Sequence, residues 1–335
     1  YNIGADFSLF DNRIYGQVEY FQANTTDLLL AVQVPSALGF SSAIQNIGEV
    51  ENKGFEFIVS SRNTVGTVKW RTDVNFSTIH NEVKALGPDG EPIYSRGGAG
   101  IRHITEIGSP IGSYFGYKVD KVYMNQAEID ADPVPDKIAT PGPGYFKWQD
   151  VNGDGQIDSG DRTVTGNYIP DFYYGINNEI EYQNWNLSFL IQGVEGSEIL
   201  NLVKRHIGNN AGNFQQFAYA TDRWRSEADP GSGAHPIALR AGSQNNRQSD
   251  YQVDDASYIR LRNVTLAYNF PKSQLGNTID RLRLYLTGTN LLTITDYPGY
   301  NPEANNQEDN LLVQGEDYGT YPLQKKLTLG ININF

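Results

Sequence analysis

The last nine residues of the chain alternate between apolar and polar side chains without a break. The apolar positions are Leu327, Leu329, Ile331, Ile333 and Phe335, and the polar positions between them are Thr328, Gly330, Asn332 and Asn334. In a β-strand, successive side chains point to opposite faces, so a period of two places each set on its own face. We therefore predict a terminal strand with one apolar and one polar face.

The same alternation recurs along the 335 residues. It predicts about nine long strands, near 1–9, 13–22, 51–61, 67–79, 171–182, 185–194, 257–270, 281–291 and 325–335. In the strand near 257–270 the alternation changes phase at Asn263, which predicts a β-bulge there.

The connections between these strands differ in length in a regular way. Short connections lie at 10–12, 62–66, 183–184 and 271–280, and long ones lie at 23–50, 80–170, 195–256 and 292–324. Short turns at one end of the strands and long loops at the other are typical of a transmembrane β-barrel. The predicted fold class is therefore all-β, an antiparallel transmembrane β-barrel with long extracellular loops and with the C-terminus in the periplasm.

The composition agrees with strands that have one face in lipid and the other in water. Charged residues make up 19 % of the chain and aromatic residues 12 %, whereas an ordinary soluble domain has about 25 % charged residues. Aromatic side chains at the strand ends are predicted to form the two interfacial girdles. They are Phe10, Tyr20, Trp70, Phe172, Tyr182, Trp185 and Phe270.

Several functions are excluded by composition. The net charge of −13 gives no basic surface for nucleic acid, and the absence of cysteine excludes thiolate metal sites and cysteine nucleophiles. The four histidines are scattered, and no catalytic motif stands out, so we predict that the protein is not an enzyme. The alternative to a barrel is a soluble β-sandwich, whose function would be calcium-dependent carbohydrate binding.

Residues 150–161, here called the acidic loop, have the spacing of a calcium-binding EF-hand loop. Oxygen-bearing side chains fall at positions 1, 3, 5, 9 and 12, glycine falls at position 6, and the backbone carbonyl of position 7 is available. The predicted structural Ca²⁺ ligands are Asp150, Asn152, Asp154, Gln156, Asp158 and Asp161. The alternative is a turn whose Asx side chains match this spacing by chance.

Aromatic side chains in the long loops are the candidates for contact with a ligand. Such rings stack on sugar faces or hold peptide side chains, although each could instead anchor a packed loop. The predicted substrate-binding residues are Tyr94, Trp148, Trp224, Tyr297 and Tyr300.

Four blocks of the sequence resemble one known family in the same order. The first is Gln45–Phe57, which contains NIGEVENKG, and the others are 150–179, 255–271 and 283–303. Together with the terminal strand they resemble the C-terminal part of the barrel of SusC/RagA-type TonB-dependent outer-membrane transporters.

The resemblance implies a plugged barrel of 22 strands that imports oligosaccharides or peptides with a SusD-like surface lipoprotein as its lid. Energy would come from the TonB–ExbB–ExbD system. The polar residues that alternate with the apolar ones on the strands would line a water-filled lumen. They include Lys69, Arg71, Asp73, Glu179, Arg281 and Arg283.

The family's plug domain and N-terminal strands have no counterpart in these residues. We therefore expect residues 1–335 to be the C-terminal portion of the barrel, with the 80–170 connection as an insertion that carries the acidic loop. The remainder of the barrel, including the plug, would lie on the same polypeptide or on another chain, and we favour the same polypeptide. Half a barrel would otherwise leave unpaired strand edges in lipid.

Overall fold

A computed structural model describes most of the chain. The described residues are 1–33, 39, 42–87, 89–97, 100–208, 215–239, 244–306 and 310–335. No helix among these residues is long and apolar enough to cross a membrane.

Strands dominate the described residues. They are β1 (Asn2–Leu9), β2 (Ile14–Gln33), β3 (Ser42–Val65), β4 (Val68–Thr78), β5 (His80–Leu86), β6 (Ile93–Gly97), β7 (Gly100–Thr105), β8 (Ser113–Gly116), β9 (Val119–Val122), β10 (Phe146–Trp148), β11 (Thr163–Gly166), β12 (Phe172–Tyr182), β13 (Trp185–Glu195), β14 (Glu198–Asn201), β15 (Val253–Asp255), β16 (Tyr258–Asn269), β17 (Arg281–Thr295), β18 (Glu316–Asp317) and β19 (Lys326–Asn334). Two short α-helices, α1 (Gln126–Asp130) and α2 (Lys204–Ile207), and a few 3₁₀ turns lie in the connections.

The main sheet is antiparallel and open, with the strand order β1-β2-β3-β4-β12-β13-β16-β17-β19. These nine strands coincide with the nine predicted from alternation. The predicted bulge is confirmed, because the register of β16 against β17 shifts between Leu261 and Asn263. Each of these nine strands therefore pairs with those that come directly before and after it in the sequence order of the nine.

Strand β2 and strand β3 are longer than predicted. The connection 23–50 was expected to be a loop, but β2 continues to Gln33 and β3 begins at Ser42. The alternation fails there because the register shifts between Thr25 and Leu28, and Asp27 has a positive φ of 59°. A bulge of this kind interrupts the period of two without ending the strand.

Strand β3 changes partner at Gly54. Glu56 pairs with Ser77 on β4, whereas Lys53 pairs with His80 on β5. A Cβ atom on Gly54 would lie 2.0 Å from the backbone carbonyl oxygen of Thr78, which is far inside van der Waals contact. The glycine of the NKGF segment is therefore required where the sheet branches.

The two faces of the sheet differ in polarity. Leu284 lies opposite Ile331 on one face, and Arg283 lies opposite Asn332 on the other. The six residues predicted to line a lumen share the polar face. On the apolar face, Tyr182 and Phe172 mark the two ends of β12, about 33 Å apart at 3.3 Å per residue. With a strand tilt of about 40°, this length spans roughly the 25 Å apolar band of an outer-membrane barrel.

The long connections lie at one end of the main sheet, opposite the short turns, and fold together into a structure that we call the loop cap. It consists of the segments between β5 and β12, between β13 and β16, and between β17 and β19. Small sheets β10-β9, β11-β8-β7-β6 and β15-β14-β18 lie in it, and β14 pairs in parallel with β18 from a different connection. Most of the buried apolar side chains belong to this cap.

Candidate functional site

The acidic loop folds tightly around its own carboxylates. Asp150 accepts hydrogen bonds from the backbone N–H groups of Gly153 and Gly155, both at 2.8 Å. Asp161 is fully buried and accepts from the N–H groups of Val151 at 2.9 Å and Asp158 at 2.8 Å. The first and last acidic residues therefore hold the loop in shape.

Of the remaining predicted ligands, Asn152 and Asp154 are exposed, and Gln156 and Asp158 are partly exposed. Asn152 accepts a hydrogen bond from the N–H of Asp154 at 2.9 Å, and Asp154 accepts one from the N–H of Gln156 at 3.0 Å. Ile157, at position 8, is buried in an aromatic cluster and pairs with the backbone of 135–137. These contacts attach the loop to the core of the cap.

Oxygen ligands are those that calcium prefers, so the residue types of the acidic loop fit this ion. Within the described residues, however, no three His, Cys, Asp or Glu side chains are arranged to hold a metal. Calcium binding by the acidic loop therefore stays a prediction.

The five aromatic residues predicted to contact a ligand fall into two groups. Trp148, Trp224 and Tyr297 are buried, with 3 %, 6 % and 4 % of their surface exposed. Tyr94 and Tyr300 are exposed by 41 % and 74 %. The buried three pack inside the cap, so only Tyr94 and Tyr300 present an accessible ring.

The buried aromatic residues hold the cap together through hydrogen bonds and packing, and Tyr297 packs against Ile199 and Ala256 of the connection between β13 and β16. The indole N–H of Trp224 donates to the carbonyl of Met124 at 3.1 Å, and the hydroxyl of Tyr297 donates to Asp317 at 2.6 Å. Burial, together with the negative charge of Asp317, raises the pKa of Tyr297. These contacts make both residues anchors of the cap.

A chamber of about 620 Å³ lies between the polar face of the sheet and the loop cap. We call it the inner chamber. Two cross-strand rows form its floor. The first row runs from β3 to β16 and consists of Glu56, Ser77, Tyr173, Val194 and Tyr258. The second runs from β3 to β13 and consists of Ile58, Asn75, Gly175 and Gln192. Tyr168, Pro170, Ser197, Pro302 and Glu303 close the chamber from the cap.

On one side of the inner chamber, the lining residue Glu303 of the cap forms a charged contact with a residue of the sheet that lies behind the lining. Arg260 is fully buried on β16 and forms an ion pair with Glu303, which is 35 % exposed. Tyr258 donates a hydrogen bond to the same carboxylate at 2.6 Å. Burial alone would raise the pKa of Glu303, but the hydrogen bonds from Tyr258 and Arg260 and the charge of Arg260 lower it. The carboxylate is therefore held in its ionised form.

Farther along the same floor row as Tyr258 lies one buried polar group without a hydrogen-bond partner among the described residues. Ser77 is 8 % exposed, and its hydroxyl oxygen has no hydrogen-bond partner among the described residues. Tyr173 stands next to it in the row and is 44 % exposed. This part of the floor can accept a ligand group without first breaking a contact of the serine.

This chamber was not predicted from the sequence. The predicted ligand contacts are aromatic residues of the loops, whereas Glu56, Ser77 and Tyr173 belong to predicted strands. The signal was present in the alternation, because all three occupy the polar phase of their strands. The missing information was the register that brings three distant segments into one row.

Along its whole length the chain is similar to TonB-dependent receptors. It is 37 % identical to TonB-dependent receptor P3 of Formosa agariphila, with all of the chain and 34 % of that receptor covered. It is 28 % identical to TonB-dependent receptor SusC of Bacteroides thetaiotaomicron, again over the whole chain and 31 % of the receptor. No family model matches the chain.

The fold agrees with a solved structure. A chain in the structure of the RagAB peptide transporter matches all of the chain with a TM-score of 0.80 at 21 % sequence identity. The match covers 35 % of that chain, so the residues span about a third of the length of their relatives. The predicted fold class, a portion of an antiparallel transmembrane β-barrel, is confirmed.

Proposed function

We propose that the protein containing this chain is a TonB-dependent receptor of the SusC and RagA type that imports oligosaccharides or peptides across the bacterial outer membrane, and its similarity to such proteins supports this. The inner chamber is the observation that carries this proposal. It is a space of about 620 Å³ that lies on the polar face of a barrel sheet beneath a packed loop cap, and it is lined by apolar, aromatic and a few charged side chains. Ligand sites of proteins typically occupy 300–1,000 Å³.

The polarity of the sheet supports a membrane position for this barrel. Leu327, Leu329 and Ile331 are exposed by 73 %, 70 % and 59 % on the apolar face, where lipid would surround them. Short turns join the strands at the end opposite the cap. In outer-membrane barrels the short turns face the periplasm, so we assign the C-terminus to the periplasm and the cap to the outside.

The proposed partners are those that the similarity to SusC and to the RagAB structure implies. A SusD-like surface lipoprotein would close over the loop cap, and ligand would be held between the two proteins. The plug and the other strands of the barrel would complete the lumen, and the TonB–ExbB–ExbD system would supply the energy. The work of the chain is binding and gating, and no chemical step is assigned to it. The relatives that it matches are named as receptors and transporters.

We further propose that the acidic loop binds Ca²⁺. Its residue types and spacing support this, with Asp150, Asn152, Asp154, Asp158 and Asp161 offering side-chain oxygens and Gln156 its carbonyl. A bound ion would neutralise part of the carboxylate charge and brace the connection between β5 and β12.

The test is purification of the full receptor from its native outer membrane under mild detergent. We expect a surface lipoprotein to copurify and a retained oligosaccharide or peptide to be found by mass spectrometry. Deletion of the receptor should abolish growth on that compound, as should loss of TonB. Release of the receptor from membranes by carbonate alone, or unchanged growth after deletion, would contradict the proposal.

A further inference from the structure

The inner chamber carries an uncompensated negative charge. Of the described residues that line it, none is Lys, Arg or His, and the two acidic ones are Glu56 and Glu303. Glu303 is matched by Arg260. Glu56 forms no salt bridge with any described residue, and its charge faces the chamber without a counterion.

A second carboxylate reinforces this charge. Glu19 on β2 lies directly opposite Glu56 on β3, and it likewise forms no salt bridge within the described part of the chain. Like charges directly opposite each other on neighbouring strands repel and destabilise the pair. A cation placed beside them would remove this repulsion and would gain attraction to both.

The neighbouring groups suit an organic cation. In the same cross-strand row, Glu56 is followed by Ser77 and then by Tyr173. Strands are spaced about 4.8 Å apart, so the backbones at Glu56 and Tyr173 stand about 10 Å apart with that of Ser77 between them. The buried Ser77 hydroxyl lacks a partner and can accept a hydrogen bond. The exposed ring of Tyr173 offers a face for a cation–π contact.

We propose that the inner chamber binds a positively charged group of the imported compound, an ammonium or a guanidinium. Glu56 is the main anionic contact, Ser77 accepts a hydrogen bond from the group, and Tyr173 covers it. The proposal rests on the import function proposed above. Two sources carry this chemistry, a basic side chain of a peptide and an amino sugar of an oligosaccharide.

The experiment measures binding to the purified full receptor by isothermal titration calorimetry with two pairs of probes. One pair is a short peptide with lysine and the same peptide with acetyl-lysine. The other pair is a glucosamine tetramer and its fully N-acetylated form. We expect the receptor to prefer the charged member of one pair by about tenfold or more, and the pair that shows this identifies the source.

The decisive variant is Glu56→Gln, which keeps the shape of the side chain and removes its charge. We expect it to abolish most of the preference, with the affinity for the neutral probe unchanged. Ser77→Ala should weaken the charged probe by a smaller factor. The matched control is Glu181→Gln, which removes a glutamate charge from the same polar face outside the chamber and should leave the preference intact.

A preference that survives Glu56→Gln, or a wild-type receptor that does not distinguish charge in either pair, would overturn the proposal. An equal loss in Glu181→Gln would also overturn it, because the effect would then reflect the overall field. Growth that depends on TonB is followed in parallel. Import without charge preference refutes only the chamber proposal, and charge-dependent binding without import refutes only the import function.

Discussion

The contact between Arg260 and Glu303 should decide whether the loop cap stays closed over the sheet. Arg260 is fully buried on β16, and Glu303 belongs to the connection between β17 and β19. The Nε atom of Arg260 donates to Thr293 at 3.0 Å, while its Nη2 has no partner among the described residues. Replacement of Glu303 by Gln keeps the shape of the side chain but leaves the guanidinium without a counterion.

The size of the effect follows from burial. Removal of one partner of a buried ion pair typically costs 3–5 kcal/mol, because the other charge stays buried and uncompensated. Since 35 % of the Glu303 side chain is exposed, water replaces part of the interaction, and we expect about 2–3 kcal/mol. At 1.36 kcal/mol for each factor of ten, the closed state should lose roughly 30- to 150-fold in its equilibrium constant.

Hydrogen exchange of amides in the cap measures this opening directly. The N–H of Asn306 donates to the carbonyl of Glu316 at 3.0 Å, and the N–H of Leu200 donates to the carbonyl of Gly315 at 2.9 Å. Both amides are protected only while the connection that carries Glu303 is in place. Glu303→Gln should therefore lower the protection of both amides by roughly 30- to 150-fold.

An exposed ion pair provides the control. Lys272 and Asp280 are 2.7 Å apart in the connection between β16 and β17, and their side chains are 57 % and 69 % exposed. Exposed pairs of this kind contribute little, so Asp280→Asn should leave protection in the cap unchanged. If Glu303→Gln changes the protection of Asn306 by less than about threefold, the reasoning from burial is wrong.

Three further predictions concern the sheet, the pH dependence of the cap and the acidic loop. Gly54→Ala places a Cβ atom 2.0 Å from a backbone carbonyl oxygen of β4 and should lower stability by about 2 kcal/mol or more. The control is Gly66→Ala, whose added Cβ atom has no neighbour within 4 Å and which should leave stability unchanged. Thermal melts of the full receptor measure both effects. The pKa of Glu303 is lowered in the closed cap. Its contribution to the stability of the closed cap is therefore fully present above about pH 4.3, the ordinary pKa of a glutamate, and is lost as the pH falls through the lowered pKa of the closed cap. Amide protection, corrected for intrinsic rates, should therefore fall on acidification in the wild type and not in Glu303→Gln. Calcium should slow proteolysis of the acidic loop with a midpoint that Asp154→Asn moves to higher concentration, and equal cleavage with calcium or chelator would contradict the calcium assignment.

The strands were predictable because each one lies between two different environments. Alternation along β12 and β19 reports the difference between the two faces and needs no knowledge of the neighbouring strands. Prediction failed where a bulge changes the phase, as between Thr25 and Leu28 on β2. There the backbone continues as a strand, but the side-chain pattern no longer shows it.

The interior of the loop cap was not predictable in the same way. Trp224 binds the carbonyl of Met124 from 100 residues away, and Tyr114 donates to the carbonyl of Gly315 from 201 residues away. Burial of these rings depends on contacts between separate connections, and no local period records such contacts. For this reason Trp148, Trp224 and Tyr297 look like exposed loop residues in the sequence and are buried in the structure.

The inner chamber lies between these two cases, because alternation fixes the face of each residue and pairing fixes its neighbours. A slip of one residue in β3 would turn Glu56 toward lipid and Phe57 toward the chamber. It would also separate Glu56 from Ser77, which lies opposite it on β4. A charged side chain on the lipid face destabilises a barrel strand. The register that keeps Glu56 out of lipid is therefore the same register that builds the row of Glu56, Ser77 and Tyr173, so barrel stability and chamber chemistry depend on one pairing.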